Sequence, residues 1–108
     1  MDYDYLISMQ AISEDNNNLG EIIRIDNLFG KKVKKHKHYA VVLVKRFLKK
    51  DVLVPIAISK LSKVEDNLAW FDITKDEFRL EERRIRNIKD EKDIYPTDAY
   101  IYTEKSKE

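Results

Sequence analysis

The sequence predicts an all-β domain, a small β-barrel, and three observations carry that prediction. Apolar residues fall in short runs rich in Val and Ile and not at sustained helical spacing. Polar clusters rich in Asx residues separate the runs. One run, Tyr39-Ala40-Val41-Val42-Leu43-Val44, is apolar at every position, as in a strand covered on both faces. At 108 residues the chain closes one hydrophobic core more readily than two, because burial becomes marginal in very small domains.

The first expected strand covers residues 5–12. Ser13-Glu14-Asp15-Asn16-Asn17-Asn18 follows as a hairpin tip, since Asx side chains tolerate left-handed backbone and cap turns. A second strand returns over 19–26, with Gly20 marking a bulge or a close backbone approach. Residues 39–44 form the core strand and 52–56 another. Pro55 has no N–H for a ladder, which confines it to an edge, a bulge or a strand end. A short helical turn fits 57–61. A tight turn at Glu65-Asp66-Asn67 then joins Val64 to a strand over 68–73, whose Trp70 and Phe71 can fill a barrel end.

The pattern changes at residue 74. Thr74 can cap a helix, Glu77 can close the capping box, and Ile73 can staple against Phe78. Helix-favouring residues continue to residue 92 with a patchy apolar stripe of Phe78, Leu80, Ile85 and Ile88, so the helix needs docking for stability. Residues 99–102 read as an edge strand and 103–108 as a frayed tail. These boundaries give a barrel domain over 1–80 and a helical extension with its tail over 81–108.

This order of elements resembles the PRC-barrel family, in particular its small stand-alone archaeal members. The segment 11–25 is similar to the family's opening hairpin, in which a polar turn leads into a Leu-Gly step, here Leu19-Gly20, and then an Ile-rich strand. Asp51-Val52-Leu53-Val54-Pro55-Ile56 looks like its strand ending in Val-Pro-hydrophobic, and 68–78 matches its last strand and exit in kind. The resemblance covers residues 5–80. It departs where an Asn run replaces the usual Asp-Gly turn and where the stretch before Tyr39 is unusually basic. It implies a barrel of about six strands that docks on other macromolecules, in settings that include ribosome maturation and archaeal cell division. The family shares no catalytic residues, so none is carried over.

Composition sharpens the same expectation. Charged residues make up 38% of the chain, against roughly 25% in an average soluble domain. Cysteine is absent, which removes disulfides and thiolate metal sites and leaves a cytoplasmic location as the default. Met1-Asp2-Tyr3-Asp4-Tyr5 has neither the basic start nor the apolar stretch of a secretory signal, and no apolar run approaches the roughly 18 residues that span a bilayer.

The net charge of +1 hides segregation. Between Arg24 and Lys63 the chain carries 12 basic and 2 acidic side chains, so the remainder is strongly acidic. The candidate partner-binding residues are Lys31, Lys32, Lys34, Lys35, Lys37, Lys45, Arg46, Lys49 and Lys50. Such a surface attracts phosphate, an anionic membrane or an acidic protein face, or else it is solvated or neutralised by the chain's own acidic helix. Within 31–39 Tyr39 is the one Tyr, Phe or Trp available for base stacking, which favours phosphate or acidic-protein contact over base reading.

Other chemistry is disfavoured residue by residue. His36 and His38 alternate as metal ligands can, but Lys35 and Lys37 beside them repel cations. Asp15 to Gly20 tracks a calcium loop only superficially, since Leu19 occupies a ligand position. Gly30-Lys31 lacks the rest of a phosphate loop, and no Ser sits in a Gly-x-Ser-x-Gly elbow. Neither an enzyme nor a cofactor is expected. The helix with Glu81, Glu82, Arg83, Arg84 and Arg86 packs over the barrel or pairs with a second copy in a homodimer. The leading expectation is a non-enzymatic adaptor for a protein partner. The alternative is a small-barrel nucleic-acid binder using the basic region 31–50.

Overall fold

Hydrophobic runs and Asx turns fold into one mixed sheet with a helix beside it, in a computed structural model that describes residues 3–29, 37–88 and 100–101. The strands are β1 (Gln10–Ile12), β2 (Asn18–Phe29), β3 (Lys37–Val44), β4 (Val52–Ala57), β5 (Leu61–Glu65), β6 (Leu68–Phe71) and β7 (Tyr100–Ile101). The helix α1 spans Lys75–Arg86, and single 3-10 turns occupy Asp4–Leu6 and Ile58–Lys60. Six strands lie in the order β4-β3-β2-β1-β6-β5, and β7 adds to the far end of β2 opposite Leu28 and Phe29. Strands β1 and β6 run parallel, and every other pairing is antiparallel. Among the described residues no ladder joins β4 to β5, so the path ends open on those two strands. Pro55 sits opposite Val41 on terminal strand β4, where a missing donor is tolerated.

Strand β3 is the centre of the core, as its unbroken apolar run predicts. Ala40, Val41, Val42 and Val44 are buried on it, Ile22 and Val54 are buried on its neighbours β2 and β4, and Ala69 and Phe71 are buried on β6. The alternation of β4 is looser, with Val54 and Ile56 turned inward. Two left-handed residues, Asp66 at φ 52° and Asn67 at φ 65°, make the tight β5–β6 turn, the conformation that Asx residues accept most readily.

Gly20 occupies the bulge that shifts register between Ala11 and Ile12. Its φ is 142°, and a Cβ there would lie 2.4 Å from the Leu43 carbonyl oxygen and 2.9 Å from Val42 Cγ1. Only glycine lets β2 pass this close to β3.

The expected first strand over 5–12 is shorter. Residues 4–6 form a 3-10 turn, Ser8 turns the chain at φ 82°, and β1 begins only at Gln10. Leu6 is fully buried between the exposed Tyr5 and Ile7, a spacing that one helical turn satisfies as well as a strand does. The helix starts where its signals place it. Thr74 Oγ1 accepts the Glu77 N–H at 3.1 Å, and Glu77 Oε1 accepts the Thr74 N–H at 2.8 Å. These bonds hold the Glu77 carboxyl below its usual range. Phe78 and Ile85 enter the same core cluster as the strands, so α1 crosses residue 80 as one docked element.

Candidate interaction surface

Four of the nine expected contact residues, Lys45, Arg46, Lys49 and Lys50, fall on the loop between β3 and β4. This loop is latched to α1. Glu82, only 6% exposed, projects from the helix and receives both arms of Arg46, at 2.7 Å and 3.1 Å. Arg86, one turn further along, donates to the same carboxylate at 2.9 Å through Nε. Arg86 Nη1 also donates to the Lys50 carbonyl at 2.6 Å. Both ends of the loop are therefore tied to one helix face. The hydrogen bonds from Arg46, then those from Arg86, hold the Glu82 carboxyl below its ordinary value against the opposing effect of burial. Glu82 in turn raises Arg46.

The latch leaves a surplus of positive charge. An open cleft of about 280 Å³ is lined by Arg46, Lys49, Arg79, Glu82, Arg83 and Arg86, five cations around one carboxylate. Among the described residues, Lys45, Lys49, Arg79 and Arg83 form no salt bridge. At the loop tip the chemistry changes abruptly: Phe47 is 89% and Leu48 88% exposed. Leu48 also adopts φ 62°, a left-handed conformation unusual for a leucine.

The remaining expected residues are placed differently. Lys37 opens β3, seven positions before Val44, so it stands roughly 23 Å from the loop along the strand. Lys31, Lys32, Lys34 and Lys35, with His36, lie outside the described residues. His38 Nδ1 lies 2.5 Å from Asn27 Oδ1, and its ring meets that of Tyr3. The 13–18 turn is knitted into the fold: Ser13 Oγ donates to Asp15 and accepts the Asn17 N–H, while Asp15 also accepts the Lys75 N–H at 3.1 Å. The Ser13 hydrogen bond, above all, keeps the Asp15 carboxyl below its usual value.

A second surface lies at the opposite end of β3. Tyr39, Pro55, Ile56, Ala57, Ile73 and Leu80 line an open groove of about 390 Å³ between β4 and α1, with Lys60, Glu77 and Glu81 completing it. Leu80 is 59% exposed on this groove. Tyr39 pairs with Ala57 and Val44 with Val52, so the groove and the basic loop are separated by roughly 17 Å along the ladder.

Residue reasoning from the sequence missed Glu82 as the anchor, because ionic partners 36 positions apart leave no local pattern. It also passed over Phe47-Leu48, although two adjacent apolar residues inside Lys45-Arg46-Phe47-Leu48-Lys49-Lys50 are a legible signal. Arg79, Arg83 and Arg86 repeat at helical spacing and were equally available. No helix among the described residues is long and apolar enough to cross a membrane. The chain matches no protein-family model and no curated protein.

Proposed function

We propose that this chain is a non-enzymatic adaptor, a PRC-type small barrel that engages a protein partner through the groove between β4 and α1. The observation that carries the reading is Leu80, a large apolar side chain 59% exposed on a groove otherwise lined by Tyr39, Pro55, Ala57 and Ile73. Apolar surface gathered in one concavity is the common mark of a docking site. The flanking Lys60, Glu77 and Glu81 supply a rim of mixed sign that can orient a partner segment. The resemblance of the hairpin 11–25, of Val54-Pro55-Ile56 and of the exit 68–78 to the PRC-barrel family supports the same reading.

The test is capture from the native cell with full-length protein against Leu80→Asp. Leu80 is surface-exposed, so the variant keeps its fold. The adaptor reading expects one stoichiometric partner that the substitution releases. Absence of any such partner, or its equal recovery by both proteins, overturns it. Self-association lost on the same substitution identifies a second copy as the occupant.

The nucleic-acid alternative draws on the five cations around the 45–50 loop. Phosphate-driven binding falls steeply with salt, so failure to shift labelled RNA or DNA at low salt ends that reading.

A further inference from the structure

The loop tip calls for an explanation that neither the core nor the groove supplies. Phe47 and Leu48 are the two most exposed large hydrophobic residues among those described, and they are adjacent. Isolated exposed apolar residues need no account, but a protruding pair does. Leu48 holds a left-handed backbone, φ 62°, that glycine or asparagine would adopt with less strain. An exposed leucine in that conformation gains nothing from the fold, which points to a use outside it.

Charge is arranged around the pair. Lys45 and Arg46 precede it and Lys49 and Lys50 follow it, so two positive side chains flank the exposed apolar pair on either side along the chain. Arg79 and Arg83 of α1 share a cleft with Lys49. The Glu82 latch fixes both ends of the loop to α1, tying down Arg46 at 2.7 Å and the Lys50 carbonyl through Arg86 at 2.6 Å.

We propose that the β3–β4 loop docks the protein on an anionic phospholipid surface, Phe47 and Leu48 entering the headgroup boundary while Lys45, Lys49, Lys50, Arg79 and Arg83 meet lipid phosphates. An anionic bilayer presents negative charge in an outer layer with apolar matter directly beneath. The loop offers the complementary chemistry, a pair of apolar side chains 88–89% exposed between basic residues. A nucleic acid would leave Leu48 without a partner, since only Phe47 can stack on a base. This inference goes beyond the adaptor reading and stands apart from it, because Leu80 lies on the other surface.

Co-sedimentation of the full chain with phosphatidylcholine vesicles, with and without phosphatidylglycerol, tests it. The comparison is made for the wild type, for Phe47→Ser with Leu48→Ser, and for Arg79→Ala with Arg83→Ala. Unchanged thermal unfolding verifies that the exposed substitutions leave the fold intact. The expected result is partition on phosphatidylglycerol vesicles that weakens with salt, with little on phosphatidylcholine alone. The double serine variant should lose about tenfold or more in partition, and the double alanine variant should lose less. Three results overturn the proposal: no partition at low salt, equal partition on both vesicle types, or full partition by the double serine variant. If the double serine substitution instead releases a captured protein without changing vesicle binding, the loop is a protein contact and the lipid assignment fails. Failure of Leu80→Asp to release a partner affects only the adaptor reading.

Discussion

Removing the Glu82 carboxylate should destabilise the protein more than any change at an exposed charged residue of α1. In Glu82→Ala, the Arg86 side chain, only 18% exposed, keeps the Lys50 carbonyl but loses its counter-charge. Arg46 loses both of its acceptors on Glu82. Breaking a fully buried ion pair by truncating one partner costs about 3–5 kcal/mol. Here the Arg46 side chain is already 38% exposed and can rehydrate, which brings the expectation down to about 2 kcal/mol. Glu82→Gln keeps the volume and one acceptor oxygen, so it should cost about 1 kcal/mol. Urea unfolding at neutral pH reads both, with the midpoint shift converted by the common slope. A loss below about 0.5 kcal/mol in Glu82→Ala is the ordinary effect of a surface substitution and would refute the latch as a stabilising device. A cycle adding Arg46→Ala checks the assignment, because near-zero coupling would mean that the two residues are neighbours without a shared energy.

Three further outcomes follow from the geometry. The Glu82 carboxyl is held below its ordinary value of 4.5, so its ionised, paired form contributes stability that is complete above that value and is lost as pH falls through the lower folded one. The stability gap between wild type and Glu82→Gln should therefore narrow in acid, and a gap that widens as pH falls would reverse the sign. Gly20→Ala should cost about 3 kcal/mol, since its Cβ meets the Leu43 backbone oxygen at 2.4 Å in a conformation alien to L residues; retention of the wild-type unfolding midpoint would contradict it. Thr74→Ala should cost about 1 kcal/mol by removing the acceptor of the Glu77 N–H, and a change of the same size in Thr74→Ser would show that the hydroxyl is not the cause.

What could be read in the sequence was what neighbours in sequence decide. The capping box at Thr74, the Asx turn at Asp66-Asn67 and the bulge glycine are short-range chemistry, and each occurs where its residues place it. Pro55 restricted its strand to an edge, a bulge or a strand end for the same local reason, and β4 takes the first of these. The parallel pairing of β1 with β6 joins Gln10 to Leu68, and no local rule encodes that choice. The extent of the first strand failed because Tyr5-Leu6-Ile7 satisfies two periods at once, and tertiary contact with Leu6 selected the helical one. The basic surface was legible as charge but not as geometry. Arg46 belongs to it by sequence, yet its guanidinium is largely committed to Glu82, whereas Arg79 and Arg83 enter it from a helix far along the chain.

The latch also gives the lipid proposal a test in which simple electrostatics and loop organisation predict opposite signs. Glu82→Gln removes one negative charge from the cleft that holds Arg46, Lys49, Arg79, Arg83 and Arg86. If attraction depended on net charge alone, the variant would gain up to about 1 kcal/mol toward phosphatidylglycerol vesicles, close to a fivefold rise in partition. The Glu82 carboxylate, however, accepts from both Arg46 and Arg86, and Arg86 holds the Lys50 carbonyl on the other side of Phe47 and Leu48. Loosening these ties lets the loop sample conformations in which its apex no longer projects, and ordering it again on the bilayer costs roughly 0.5–1.5 kcal/mol for each side chain immobilised. With Arg46 and Arg86 left to share one neutral acceptor oxygen, neither is held as firmly, and ordering the two side chains again on the bilayer outweighs the electrostatic gain, so partition should fall in Glu82→Gln despite its more positive charge. A rise in partition would mean that the loop adheres as a flexible basic segment, and that the helix contributes charge but no geometry.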